Sequence, residues 1–174
     1  MGNGLINYRD LFEFPDSPEC PELTTDAITS AQDVLGVRLP FEYLQVLKAC
    51  NGGRLKRNTF YTEQATSWAD DSVQMPDLMG IGGENGIDAR YGSDYLIDEW
   101  NYPRPAIVLW SGGQTAIMLD YRRCGPDGEP PVIWVDMDAH ESEQILVLSS
   151  EFGAFVERLV ESPDTLAAHR DEAP

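Results

Sequence analysis

Residues 106–149 contain a succession of strand-like segments with no helical pattern between them, and this constrains the fold more than any other feature. The segments AIVLW (106–110) and TAIMLDY (115–121) flank Ser111-Gly112-Gly113-Gln114, and a Gly-Gly pair suits the positive φ angles of a tight hairpin turn. PVIWVDMD (131–138) predicts a third strand, and QILVLS (144–149) predicts a further edge strand. Because short connections join neighbouring strands in opposite directions, we predict a mostly antiparallel sheet.

Two helical segments precede these strands. Thr24 or Thr25 can cap the first helix, and Gly36 suits the left-handed position that ends it. Pro40 suits the start of the second helix, which Asn51-Gly52-Gly53 ends. The apolar positions predicted to face the core are Ile28, Ala31, Val34 and Leu35 in the first helix, and Tyr43, Leu44, Leu47 and Cys50 in the second.

A last helix follows the strands, and Ser149 can cap it. Its predicted core-facing positions are Phe152, Phe155, Val156, Leu159 and Val160. Runs of strands between helices predict an α+β fold with two N-terminal helices, a mostly antiparallel multi-stranded sheet and a C-terminal helix packed on the sheet. We expect an extended lead-in at residues 1–23, a single domain at 24–162 and a polar, frayed tail at 163–174.

The chain carries a large net negative charge. Of its 174 residues, 30 are Asp or Glu and 12 are Lys or Arg, which gives a formal net charge of −18. Nucleic acids and anionic membranes are polyanions, so we expect neither as a direct partner. Two roles for the charge remain open, solubility and electrostatic attraction to a basic partner protein.

Hydropathy and cysteine spacing favour a cytoplasmic protein. No segment approaches the roughly 18 consecutive apolar residues of a transmembrane helix, and the N-terminus lacks the pattern of a secretory signal. Cys20, Cys50 and Cys124 are odd in number and far apart, without a C-x-x-C pair. We therefore expect reduced thiols, no disulfide framework and no thiolate zinc site. We also favour a monomer over an oligomer.

One acidic stretch could carry chemistry. Asp136, Asp138 and His140 fall at alternate positions of the third predicted strand, which would place them on one face, and Asp120 closes the preceding strand. Oxygen ligands and an imidazole could hold Mg²⁺ or Mn²⁺ and support hydrolysis. Acidic strand ends are also common on solvated sheet edges. We favour the second interpretation and predict no metal, no cofactor and no catalysis.

Four stretches in sequence resemble the SUKH superfamily, which includes yeast cell-wall-assembly regulators and bacterial immunity proteins. They follow the family pattern LGxxLPxxYxxxLxxxNGG and three later motifs. The matching residues are Leu35-Gly36-Val37-Arg38-Leu39-Pro40 with Tyr43, Leu47 and Asn51-Gly52-Gly53; Pro105-Ala106-Ile107-Val108-Leu109-Trp110 with Gly112-Gly113 and Leu119-Asp120-Tyr121-Arg122; Pro130-Pro131-Val132 with Val135-Asp136; and Ser150-Glu151-Phe152 with Phe155 and Leu159.

The resemblance implies a protein-binding module rather than an enzyme. It implies an immunity protein that binds and neutralises a cognate bacterial toxin, such as a nuclease with a basic surface. The alternative is an intracellular scaffold or regulator of cell-wall-type signalling without a toxin partner, and a metal-dependent hydrolase ranks third.

The segment 62–77 lacks a clean period and predicts a long surface loop, which is our choice for partner binding. An aromatic side chain beside acidic ones is a combination typical of interfaces. The alternative is that Trp68 folds back onto the core. The predicted partner-binding residues are Tyr61, Glu63, Trp68, Asp70, Asp71 and Asp77.

Overall fold

The computed structural model describes residues 6–16 and 20–163. Two α-helices come before the sheets in the chain. Helix α1 spans Thr25–Leu35 and helix α2 spans Phe41–Ala49. Thr24 caps α1, since its side-chain oxygen accepts a hydrogen bond from the Ala27 N–H at 3.2 Å. Gly36 ends α1 with φ 67°, the left-handed conformation that glycine adopts without strain. Both predicted ends of the first helix are confirmed.

Within the described residues, all the strand pairs are antiparallel, and they form three sheets. Strands β5-β6-β7-β8 form a four-stranded sheet, β3-β2-β9 a three-stranded sheet and β1-β4 a two-stranded ribbon. With helices α3 (Ser93–Trp100) and α4 (Phe152–Glu157), this is the predicted α+β fold. The strands are β1 Gly53–Arg54, β2 Arg57–Tyr61, β3 Ser72–Gln74, β4 Asp77–Leu78, β5 Ala106–Ser111, β6 Thr115–Asp120, β7 Val132–Asp136, β8 Ile145–Ser149 and β9 Val160–Glu161.

The four-stranded sheet is buried on both faces at its centre, because every residue of β6 and β7 is buried. Alternate side chains such as Ile117 and Trp134 belong to the main core, together with apolar residues of α2 and α4. The intervening ones, such as Met118 and Val135, pack in a smaller cluster that includes Ile97 of α3. This double burial explains why β6 and β7 have continuous apolar runs rather than alternating ones.

Three details of the elements differ from the sequence predictions: one apolar position of α1, the length of α4 and the segment 62–77. Val34 is 61% exposed, so the predicted apolar stripe of α1 is wrong at this position. Helix α4 is also shorter than its stripe suggested, because Val160 leaves the helix and pairs with Thr59 of β2. The segment 62–77 is a loop only in part, since β3 and the start of β4 lie within it.

The N-terminal segment folds back onto the domain instead of leading into it. A short 3₁₀ helix spans Tyr8–Leu11, and Leu11 and Phe12 are buried in the main core. The predicted tail lies outside the described residues from position 164 onwards.

Cys20 and Cys50 form a disulfide, with their Cα atoms 5.1 Å apart. The expectation of reduced thiols without a disulfide is therefore wrong for this pair, and Cys124 is the free cysteine. The two bonded residues are 30 positions apart, and spacing gave no sign that the N-terminal segment returns to the end of α2. The return is visible in the backbone hydrogen bond from the Asn51 N–H to the Pro21 carbonyl.

The end of α2 is anchored to the segment after β4 by side chains of the family motif. Asn51 mimics a strand partner: its Oδ1 accepts from the Ile81 N–H at 2.8 Å, and its Nδ2 donates to the Ile81 carbonyl at 2.9 Å. The buried Tyr43 hydroxyl donates to the Met79 carbonyl at 2.6 Å. Burial, with Asp88 nearby, raises the pKa of the Tyr43 phenol well above its ordinary value, so it remains a donor at physiological pH.

We predict that Asn51→Ala lowers the free energy of unfolding by about 2 kcal/mol, because it leaves the N–H and carbonyl of Ile81 without their partners. Urea denaturation measures the loss, and hydrogen exchange should show faster exchange at the Ile81 amide. Asn85→Ala, at an exposed position of the same segment, is the control. Equal stabilities of the two variants would contradict the anchoring role.

Candidate protein-binding groove

A groove runs along β8, between that strand and the loop that joins β2 to β3. Its larger part is a cavity of about 700 Å³ with walls from residues 64–67, the end of β7, residues 139–143 and the start of β8. A smaller cavity of about 270 Å³ continues beside Leu146, Val147 and Leu148. Gln64 and Leu146 line both cavities, so we treat them as one feature, the β8 groove.

The loop wall of the groove has a local hydrogen-bonded structure. The Thr62 N–H donates to the Asp71 carbonyl at 2.7 Å and closes the base of the loop. Within the loop, the Thr66 hydroxyl accepts from the N–H groups of Trp68 and Ala69 at 3.2 and 3.4 Å. A threonine that bonds to the backbone two and three residues ahead is a common loop-stabilising turn. These bonds turn the chain so that Trp68 faces the sheet.

Three tryptophan rings pack where the loop meets the sheet. Trp68 contacts Trp110 and Trp134 edge-on, with ring centroids 5.5 and 5.7 Å apart. Trp68 is nevertheless 46% exposed, so it packs on the core and also remains accessible to solvent. Trp134 lines the larger cavity, and its Nε1 is the one buried side-chain polar atom without a hydrogen-bond partner among the described residues.

The two chain segments that flank the β8 groove, residues 62–71 and 136–144, are strongly acidic, and we call them its rim. The segments 62–71 and 136–144 contain three and four Asp or Glu residues, respectively, and no Lys or Arg. Asp136, which is 3% exposed, and Glu143 line the larger cavity. Arg158 lies at the opposite end, with its guanidinium 4.4 Å above the Phe60 ring centroid. The larger cavity is therefore lined by carboxylates without a cation, while the smaller one has one charge of each sign, Glu63 and Arg158.

The predicted partner-binding residues separate into four places. Tyr61 and Glu63 line the smaller cavity, while Trp68 packs on Trp134 beneath the larger one. Asp70 and Asp71 are exposed where the loop returns to β3. Asp77 lines a separate cavity, together with Trp100 and Trp110, so the structure does not bring it to the groove.

Sequence reasoning missed the other wall of the groove. Glu143, Val147 and Arg158 line it and were not among the predicted residues. The available signal was the segment QILVLS, which predicts an edge strand without a charged residue. Its proximity to the 62–71 loop depends on tertiary packing and has no signal in the local pattern.

The acidic stretch that could have held a metal does not form one face of a strand. Strand β7 ends at Asp136, whose Oδ1 accepts a hydrogen bond from the Asp138 N–H at 3.1 Å. His140 lies in the following connection, with its Nδ1 3.3 Å from the Ser142 hydroxyl. The alternation that suggested a ligand set is therefore wrong. Within the described residues, no three His, Cys, Asp or Glu side chains are grouped so that they could hold a metal ion.

Asp120 has a structural partner instead. Its two carboxylate oxygens accept from Nε and Nη2 of Arg122 at 2.9 and 2.8 Å, and the Arg122 N–H adds a third bond at 3.0 Å. Burial by itself raises the pKa of the Asp120 carboxyl, but the hydrogen bonds and charge of Arg122 outweigh burial and hold the pKa below its ordinary value. This pair closes the end of β6.

We predict that Arg122→Ala makes the protein more sensitive to acid. A lowered folded-state pKa of Asp120 means that the carboxylate stabilises the fold above its unfolded pKa, near pH 4, and that this contribution is lost as the pH falls. Without Arg122, the midpoint of acid unfolding should move to higher pH. At pH 7 the free energy of unfolding should fall by about 1–2 kcal/mol, less than for a fully buried pair because the guanidinium is 36% exposed.

Circular dichroism as a function of pH measures this shift. Lys48→Ala, which removes the same charge from an exposed position of α2, is the matched control. An unchanged midpoint in Arg122→Ala, or an equal change in both variants, would show that the Asp120 pair contributes nothing specific to acid stability.

The helix–helix–sheet–helix order defines an α+β fold with a groove beside β8. A family model described as SUKH_6, SMI1-KNR4 cell-wall, matches residues 25–156, which is well over half of the chain. The protein therefore belongs to this family of the SUKH superfamily. A comparison with curated proteins gave no match. No helix within the described ranges is long and apolar enough to cross a membrane.

Proposed function

We propose that this protein is an immunity protein, which binds and neutralises a cognate bacterial toxin with a basic surface. It acts by binding alone, without catalysis or a cofactor. The observation that carries the proposal is the acidic rim of the β8 groove, with a half-exposed Trp68 beside it. Membership in the SMI1-KNR4 family supports a binding role.

Charge complementarity favours a nuclease or a similar toxin as the partner. An enzyme that holds nucleic acid needs basic surface to contact the phosphates. A protein of net charge −18 with carboxylates gathered around one groove can cover such a surface and compete with the nucleic acid. Opposite charges also accelerate association, which suits an inhibitor that must act before the toxin cleaves its substrate.

The family description also supports a second candidate, a regulator of cell-wall-type signalling. The two functions differ in the partner. An immunity protein requires a toxin, and we expect its gene immediately upstream of the gene for this protein. A regulator requires no toxin, and its acidic groove would then contact a signalling protein of the same cell.

We predict that co-expression of this protein protects cells from the toxin domain encoded upstream, and that Asp70→Lys and Trp68→Ala reduce protection. The lysine reverses one rim charge and should weaken binding about tenfold at low salt. Loss of the half-exposed Trp68 ring should weaken binding by about 2 kcal/mol, as is typical of an aromatic hot spot. Growth rescue and calorimetry with the purified toxin domain measure the two effects.

Asp33→Lys, at an exposed position of α1, makes the same charge reversal outside the groove and is the control. Thermal melting should show that all three variants remain folded. Full protection by both groove variants would remove the 62–71 loop from the interface. Failure of the wild-type protein to bind the toxin domain would contradict the immunity function and favour the regulator.

A further inference from the structure

Strand β8 has an outer edge that no other strand covers within the described part of the chain. An open edge offers unpaired backbone N–H and C=O groups, and proteins commonly block it with charged residues, prolines or a covering segment. The opposite edge of the sheet, β5, is partly covered, since the Met79 N–H donates to the Leu109 carbonyl at 2.9 Å. Strand β8 has the sequence ILVLS, without a charge or a proline.

The exposed side chains of β8 are apolar. Val147 is 61% exposed and Ile145 is 38% exposed, although both belong to a strand. Pairing with β7 is regular from Ile145 to Val147, so this part of the edge has the straight geometry that another strand can match. Ile145 and Val147 pair with Val135 and Ile133 of the smaller cluster, whereas Leu146 pairs with Trp134 on the side of the larger cavity. An added strand would therefore run along the open edge, between the exposed side chains on one face and the groove on the other.

The dimensions of the β8 groove suit an extended segment. A strand advances about 3.3 Å per residue, so a segment of about four residues would follow the edge from Ile145 to Leu148. Alternate side chains of such a segment point to the same face, so one of them would enter the larger cavity. That cavity is lined by Asp136 and Glu143, which carry carboxylates, and by Trp134.

We propose that the partner adds an extended segment to β8 as a fifth strand and places an arginine side chain in the larger cavity, against Asp136 and Glu143. A guanidinium offers five donors in a planar arrangement that matches carboxylates, and its aliphatic stem suits the apolar walls. The smaller cavity already contains a cation, Arg158, beside Glu63, so the larger cavity suits the arginine of the partner better. This mode of binding deepens the proposed function and rests on it for the identity of the partner.

Charge argues against two other occupants of the edge. A second copy of this protein would bring another net charge of −18 and another acidic rim to the same groove. The C-terminal residues 164–174 contain Asp164, Asp171 and Glu172 but one arginine, so they also match an acidic groove poorly. A basic segment of another protein suits the rim charge.

A peptide titration tests the binding mode without the toxin. The probe is acetyl-Thr-Val-Arg-Val-Thr-amide, followed by ¹⁵N NMR of the whole protein. We expect saturable shifts of the amide resonances of Ile145, Val147 and Leu148 and of the Trp134 indole N–H. A peptide with citrulline in place of arginine has the same shape without the charge, and it should bind about tenfold more weakly. Equal binding of both peptides, or no shift in the groove at about 1 mM, would overturn the proposal.

A pair of matched valine variants tests the same mode with the toxin domain. Val147→Lys places a cation on the β8 edge, and Val34→Lys makes the same change on α1, where the valine is equally exposed at 61%. We expect Val147→Lys to weaken toxin binding at least about tenfold and Val34→Lys to leave it unchanged. Unchanged binding by Val147→Lys would overturn strand addition while the immunity function stands.

The remaining outcomes separate the two proposals. Specific binding of the arginine peptide together with no binding of the toxin domain would support the groove mode and contradict the immunity function. Light scattering measures the oligomeric state and so tests the alternative that a second copy of the protein occupies the edge. A wild-type dimer that Val147→Lys converts to a monomer would show that a second copy occupies the edge, which overturns the proposal.

Discussion

The burial of β6 and β7 on both faces is the constraint from which the rest of the architecture follows. Because every residue in these two strands is buried, a layer of structure must cover each side of the sheet. Helices α2 and α4 contribute to one layer, and α3 packs on the other. Helix α3 contacts β5, so the second layer is centred away from β8. On that face the side chains of Ile145 and Val147 are left exposed, while the 64–67 loop approaches β8 on the side of Trp134 and Leu146 and forms the groove with it.

The residues of the family motif mainly make contacts between the structural layers. Asn51 and Tyr43 bond to the backbone at Ile81 and Met79, which fixes the end of α2 against the segment that follows β4. Gly80 permits this approach, because a Cβ at that position would lie 2.3 Å from the Asn51 carbonyl oxygen. These motif residues therefore have structural explanations that require no chemistry.

Local patterns predicted those features that local forces determine. Thr24 and Gly36 limit α1 because capping depends on residues within a few positions, and the β5–β6 hairpin forms at its glycine pair for the same reason. The disulfide between Cys20 and Cys50 and the pairing of Val160 with β2 depend on contacts distant in sequence, and no periodicity indicates them. For the groove, the sequence predicted the acidic loop with Trp68. It did not predict the position of this loop against β8, because that position depends on tertiary packing.

The acidic rim also explains how β8 can have an open, uncharged edge without pairing with a second copy of the protein. An uncharged edge strand with exposed valine and isoleucine would ordinarily invite pairing between copies of the same protein. A like-charged rim opposes that approach, since each copy brings seven carboxylates on the segments beside the edge. Blocking lysines on β8 itself would protect it equally well, but they would also repel a basic partner. Carboxylates beside the strand discourage self-association and leave the edge open to a segment of opposite charge.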